Sequence, residues 1–336
     1  MTMSSLQTFN FDNIDFNEAT DFIKENGYLV VENLFSKEYC DNLVGRTLNA
    51  FKTINPTLDD TDPMKWVQPQ LPPQTRAGMY QSIISNISPV REVRENENYK
   101  RIFSEIYSRV KHNYNIDDEL VTSIDGINFK PNVKGPYSKI NSSKDWAHLD
   151  QTKRNDIYKC LQGQVVLTNT SACFVCSPKS HKVHKEILDI CNIKEKDSSN
   201  WCKIKTEDYS KCKEKVESIG GSWQVPILAK AGSCILWFST TIHSARHSLK
   251  KEALRETDPY FGYRCVYYIT YRPKNEYTAK QLEKIQTNLA NNRTMNHWGT
   301  RTFPIHPNAG YFPKDNYNTC IKELIENPKK VYDLNI

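Results

Sequence analysis

The chain is 336 residues long, 38% apolar, 11% aromatic and 25% charged, which is enough material for one large domain with a sizeable core and excludes a disordered polar polymer. Its 45 lysines and arginines outnumber its 39 acids to give a net charge of +6. These charges are intermixed and form no arginine-rich block, so nucleic acid is not indicated as a partner.

The opening MTMSSLQTFNFDNID has neither the basic region nor the apolar run of a secretory leader, and no stretch approaches the ~18 uncharged apolar residues of a membrane span. A soluble, cytoplasmic protein is expected. From Asn17 to Gly27, Ala19, Phe22 and Ile23 share one helical face and Gly27 is placed to stop the helix. A β-rich run from Tyr28 to Val31 follows. Ser36 is placed to cap a second helix, in which Tyr39, Leu43, Val44, Leu48 and Phe51 recur at helical spacing. Pro56 to Pro73 reads as a loop and Asn98 to Tyr114 as a further helix.

From about Val121 to Pro273 the pattern changes to short strands: Ser123 to Lys130, Lys159 to Thr168, Cys173 to Cys176, Ile227 to Leu228, Ser233 to Phe238 and Arg264 to Tyr271. That is how an antiparallel barrel or sandwich reads. A helical, lysine-rich insertion from about Lys185 to Ser218 and a polar loop from Leu249 to Tyr260 interrupt it. After Pro273 a helix is expected over Thr278 to Leu289, then the irregular stretch NHWGTRTFPIHP and a last short helix. The ten cysteines are spread from Cys40 to Cys320 and fit reduced thiols. The one C-x-x-C, Cys173 to Cys176, lies in an apolar run that reads as a buried strand, not as a redox or zinc motif.

The chemistry is concentrated in Trp146-Ala-His148-Leu-Asp150 and in His243, at the end of the apolar run Cys234-Ile-Leu-Trp-Phe-Ser-Thr-Thr-Ile. On an extended segment residues two apart share a face, so His148 and Asp150 reach one metal ion. A distant histidine then completes a two-histidine, one-carboxylate set, which leaves positions open for a 2-oxo acid and dioxygen on iron(II). Arg264 opens a strand expected to neighbour the one ending in His243, where its guanidinium would meet a distal carboxylate.

Four blocks in this order make the chain similar to the phytanoyl-CoA dioxygenase family of iron and 2-oxoglutarate oxygenases. They are Phe22-Ile-Lys-Glu-Asn-Gly-Tyr-Leu-Val-Val with Leu34-Phe-Ser-Lys-Glu; His148-Leu-Asp150-Gln; Leu161-Gln-Gly-Gln-Val-Val-Leu-Thr-Asn through Pro178-Lys-Ser-His181; and Ala231-Gly-Ser-Cys-Ile-Leu-Trp-Phe through His243, with Arg264 beyond. The resemblance implies a mainly β fold, a double-stranded β-helix or jelly roll, with N-terminal helices over residues 1–120, a core over 121–273 carrying the insertion 185–218, and a C-terminal extension over 274–336, all one structural domain.

It implies iron(II) held by His148, Asp150 and His243, and 2-oxoglutarate paired with Arg264. It further implies hydroxylation of a small-molecule substrate by dioxygen with release of succinate and carbon dioxide. The sequence departs from the family at Pro178-Lys-Ser-His181, where P-G-S-H is usual, and in the long spacing from His243 to Arg264. Arg255 in that loop is therefore a rival for the co-substrate arginine, and His247 a rival third ligand. Gln162 faces the expected cavity and is a candidate co-substrate contact. His181 and His184 read as hydrogen-bonding residues. Tyr137, Trp146 and Trp237 line a pocket or fill the core, and His297 and Trp298 fold over the site or pack the tail. A catalytically silent jelly roll and an oxygenase acting on nucleic acid or protein are the alternatives.

Overall fold

A computed structural model describes residues 6–60, 71–75, 78–81, 84–131, 146–195, 201–246, 258–303, 318–327 and 330. The chain opens with β1 (Phe9–Asn10), α1 (Phe16–Asn26), β2 (Tyr28–Glu32) and α2 (Lys37–Ile54). Asp15 caps α1 by accepting from the amides of Asn17 and Glu18, and Gly27 ends it in the left-handed conformation, φ 81°. Ser36 caps α2 through the Tyr39 amide. Then come β3 (Met79–Tyr80), α3 (Ser88–Arg94), α4 (Glu97–Val110), β4 (Leu120–Thr122) and β5 (Ile127–Pro131). The middle holds β6 (His148–Leu149), β7 (Leu161–Val166), β8 (Phe174–Cys176), α5 (His184–Ile190), β9 (Cys202–Lys203) and α6 (Tyr209–Glu217). It is followed by β10 (Val225–Ile227), β11 (Cys234–Phe238), β12 (His243–Ala245), β13 (Tyr263–Tyr268), β14 (Tyr271–Pro273), α7 (Ala279–Ala290) and α8 (Thr319–Glu326).

Seven strands form the larger sheet in the order β1-β2-β11-β7-β13-β5-β3, and five form the smaller in the order β10-β8-β12-β6-β9. Strands far apart in sequence are thus neighbours, and the two sheets face each other as a jelly roll. The alternation of each strand sorts its side chains. Leu29, Val31, Val165, Leu236, Cys265 and Tyr267 lie in one cluster with Leu43, Phe51, Ile102 and Phe103 of the helices, so the helices cover the outer face of the large sheet. Val30, Ile235, Trp237, Val166 and Val266 lie between the sheets with Phe174, Cys176 and Ile227 of the smaller one.

A third cluster joins Ala147, Leu149 and Ile242, which flank His148 and His243, to Val183 and to Ile187, Cys202, Cys212 and Val216 of the insertion. The insertion therefore backs the segments that carry the two histidines. Gly163 in β7 makes room for α4: a Cβ there would stand 2.3 Å from the Tyr99 hydroxyl, which donates to the Ile269 carbonyl at 2.9 Å.

Several expected boundaries shift. Of the strand expected over Ser123 to Lys130 only the part from Ile127 forms, as β5, with residues 123–126 separating it from β4, and the one over Arg264 to Tyr271 divides into β13 and β14. The breaks let β4 and β14 leave the large sheet and pair with each other. The insertion is not purely helical, because β9 extends the small sheet by pairing with β6. None of the ten cysteines forms a disulfide, and Cys176 sits in a buried strand. Among the described residues no helix is long and apolar enough to cross a membrane.

Candidate active site

β6 and β12 are held together through one pair, His148 opposite His243, and their rings lie 4.1 Å apart. His243 therefore opens β12 after the turn that follows β11; it does not end the apolar strand, because the chain must cross from one sheet to the other between Phe238 and His243. Each imidazole is oriented by a main-chain carbonyl two residues earlier: His148 Nδ1 lies 3.0 Å from the Trp146 oxygen and His243 Nδ1 2.9 Å from the Thr241 oxygen. That fixes Nδ1 as the N–H, leaving Nε2 with a lone pair on the cavity side. The two Nε2 atoms face Asp150 Oδ2 at 3.8 and 3.2 Å.

Asp150 is fixed at three points. Its amide donates to the Ser239 carbonyl at 3.0 Å, its carbonyl accepts from Trp298 Nε1 at 2.8 Å, and its Oδ2 accepts from Gln162 Nε2 at 3.0 Å. Among the described residues His148, Asp150 and His243 form a group whose donor atoms all lie within 4.8 Å of one another, each residue buried.

These side chains open into a cavity of about 350 Å³. Arg264 lines it from β13 and is 2% exposed. Its guanidinium reaches along the strand to the Tyr268 hydroxyl, a long contact of 3.4 Å, and its Nε is buried without a partner. β13 does not neighbour β11, as a consecutive reading of the strands expects; β7 lies between them and β5 is on the other side. Lys130 of β5 stands opposite Arg264, and burial beside that guanidinium lowers its ammonium to about 7. Gln162 does face the cavity, with Oε1 unpartnered, and so does Trp237, with Nε1 unpartnered.

Two groups that sequence reasoning left open or missed complete the wall. His297 and Trp298 fold over the site: His297 Nε2 is 4.0 Å from Asp150 Oδ2, and burial lowers its pKa to about 4. Asp125 lines the same cavity, and its signal was the turn dipeptide Asp125-Gly126 inside an otherwise strand-like run. His181 and His184 stay out of the cavity and contact the carbonyls of Lys24 and Lys153. Lys179 takes the left-handed φ of 67° where the family has glycine, and its ammonium meets Glu25 at 2.8 Å. Arg255, His247 and Tyr137 lie outside the described residues.

Two imidazoles and a carboxylate, with each imidazole oriented by a carbonyl, form a donor set suited to iron(II). The unpartnered N–H donors of Trp237 and Arg264 beside it suit a small anion. A sequence search of curated proteins gives no match. Among solved structures, a protein of Salmonella typhimurium LT2 aligns with a TM-score of 0.58 at 12% identity, covering 95% of this chain and 85% of its own. A hypothetical protein of Escherichia coli aligns at 0.56 and 12%, covering 96% and 86%. The GlcNAc-inducible gene 2 product of Candida albicans aligns at 0.55 and 14%, covering 98% and 79%. At such identities the likeness is one of fold. The family model for phytanoyl-CoA dioxygenase (PhyH) matches residues 23–250, a span that contains the three donors and ends before Arg264 and His297. On that match, with iron and 2-oxoglutarate as its cofactor and co-substrate, the chain belongs to the phytanoyl-CoA dioxygenase family of oxygenases.

Proposed function

We propose that the protein hydroxylates a small organic substrate, with His148, Asp150 and His243 holding iron(II) and Arg264 holding the distal carboxylate of 2-oxoglutarate. The observation that carries this reading is the convergence of the three donor atoms within 4.8 Å in the same cavity as a buried arginine whose Nε lacks a partner. When bound, iron(II) with 2-oxoglutarate and dioxygen supplies the oxidising chemistry, with succinate and carbon dioxide as co-products.

The chain's own part is positioning. The carbonyls of Trp146 and Thr241 keep both imidazoles in the tautomer that presents Nε2. Gln162 donates to Asp150 and so fixes which way its carboxylate turns. Arg264 offers a forked cation to a carboxylate in a water-poor space, where a charge-assisted contact is strong. Trp146, stacked on His148 at 4.7 Å, and Trp201 at 6.0 Å from the same ring shield that face of the site from water.

The test is conversion of 2-oxoglutarate to succinate by the iron-loaded chain under oxygen, with and without candidate substrates. Turnover that needs iron and disappears in His148→Ala supports the reading. A chain that binds neither iron nor 2-oxoglutarate would be a silent jelly roll.

A further inference from the structure

The cavity has two chemically different ends. Arg264 is opposite Lys130 near the start of β13, whereas at the other end of that strand the Tyr268 amide bonds the carbonyl of Gly126, next to Asp125. Four residues of strand separate the two backbone levels, about 13 Å along the sheet, and the Arg264 guanidinium covers part of that span toward the Tyr268 hydroxyl. Under the function proposed above, the metal's two positive charges and Arg264 are matched by Asp150 and the two carboxylates of 2-oxoglutarate. Asp125 is a further acid of the cavity wall, 8% exposed, and Arg301, which also lines the cavity, is an exposed residue.

The Asp125 Oδ1 accepts from the Gly126 amide at 2.7 Å, and the carboxylate also accepts a hydrogen bond from the Gln81 side chain. Its Oδ2 has His297 Nδ1 at 3.8 Å, too long for a hydrogen bond. Arg94, the guanidinium that acts on Asp125 through space, is bonded to Asn86 and to the Ser85 carbonyl. Burial raises the Asp125 carboxyl to about 7, which is what an unmatched acid does in a poorly solvated place. Beside it His297 Nε2 is buried without a partner, and Trp298 and Phe303 complete the wall. A carboxylate oxygen with spare acceptor capacity, next to aromatic faces, is chemistry that recognises a cation carrying hydrogen-bond donors.

We infer that the substrate is a small amine, with its ammonium group held by Asp125 at the end of the cavity away from Arg264. The inference rests on the proposed function, and the cavity of about 350 Å³, which also has to take 2-oxoglutarate, limits the part of the substrate that enters to a small one.

The test is calorimetric titration of the full chain, loaded with cobalt(II) and 2-oxoglutarate, with tryptamine, 2-phenylethylamine and hexylamine. Each is compared with its alcohol isostere (tryptophol, 2-phenylethanol, hexanol) and its carboxylate isostere (indole-3-propionate, 3-phenylpropionate, heptanoate). The best amine should bind about tenfold or more tighter than both isosteres, and Asp125→Asn should bring it to the level of the alcohol. Alcohols or carboxylates that bind as well as the amines, no amine that binds, or an amine preference that survives in Asp125→Asn, would overturn it. The isostere comparison uses the native chain and stands even if the variant does not fold. The first step of the same titration separates the two readings. A chain that does not take up 2-oxoglutarate refutes the proposed function, whereas normal uptake with no amine preference refutes this inference alone.

Discussion

Trp298, from the irregular tail, donates its indole N–H to the main-chain carbonyl of Asp150 at 2.8 Å, so a residue far outside the barrel strands helps to hold the carboxylate of the donor set. The indole is itself fixed from behind. The Arg272 guanidinium lies 4.6 Å above its ring and donates to the Trp298 carbonyl at 3.0 Å, and Arg272 is anchored in turn by Glu276 at 2.8 Å. Removing the N–H while keeping a ring, as in Trp298→Phe, should lower cobalt(II) or iron(II) affinity about tenfold, the usual scale for an outer partner of a metal ligand. Thermal stability of the metal-free chain should change far less. Unaltered metal affinity in this variant would reduce Trp298 to a packing residue.

The donor set itself predicts a sharper split. His148→Ala and His243→Ala each remove one of three donors from an open site and should abolish measurable binding of iron(II), whereas Gln162→Ala, which removes only the bond to Asp150 Oδ2, should weaken it about ten- to a hundredfold. His247→Ala should leave most of the affinity. A competition titration against a chromophoric chelator measures all four, and equal losses in the His243 and His247 variants would overturn the choice of third donor.

These residues also show what was legible beforehand. His148, Asp150 and His243 stand out because H-x-D on an extended segment is a local pattern, and the helix caps at Ser36 and Gly27 are local too. Strand order is not local. A jelly roll interleaves distant strands, so β7 separates β13 from β11, and the neighbour of Arg264 is Lys130 and not a residue near His243. β9 is two residues long in a lysine-rich stretch and shows no periodicity to detect. His297 and Trp298 sit in a segment with neither helical nor strand spacing, and only tertiary packing brings them to Asp150.

Two buried histidines away from the cavity set an acid limit on stability. Burial lowers His181 to about 4, and His184 also to about 4, against about 6.5 for an unfolded imidazole. Because the folded values lie below the unfolded ones, the unfolded chain binds the extra protons between about pH 6.5 and 4. Stability is fully present above that window and falls as pH drops through it. At pH 5 each histidine should cost on the order of 2 kcal/mol. Urea unfolding at pH 7 and pH 5 should therefore show a smaller pH difference for His181→Gln combined with His184→Gln than for the native chain. An identical difference would mean that these imidazoles are not held neutral.

Arg264 gives the most direct test of the co-substrate end. It is 2% exposed and, among the described residues, makes one long side-chain contact to Tyr268 and keeps Nε without a partner, an arrangement that suits an incoming carboxylate. Losing a charge-assisted, forked contact in such a site costs on the order of 2–5 kcal/mol, about thirtyfold or more in affinity. Arg264→Ala should therefore raise KM for 2-oxoglutarate by at least that factor while leaving metal affinity nearly intact, since the guanidinium touches the co-substrate and not the donor set. Arg264→Lys should recover only part of it, because an ammonium cannot fork onto a carboxylate. Arg255→Ala should cost little, as expected for an arginine in a polar loop, where exposed ion pairs contribute about 0–1 kcal/mol. Anaerobic titration of 2-oxoglutarate into the iron-loaded variants measures each of these. Normal affinity in Arg264→Ala together with weak affinity in Arg255→Ala would assign the carboxylate to the loop, and the buried Arg264 beside Lys130 would then need another anion.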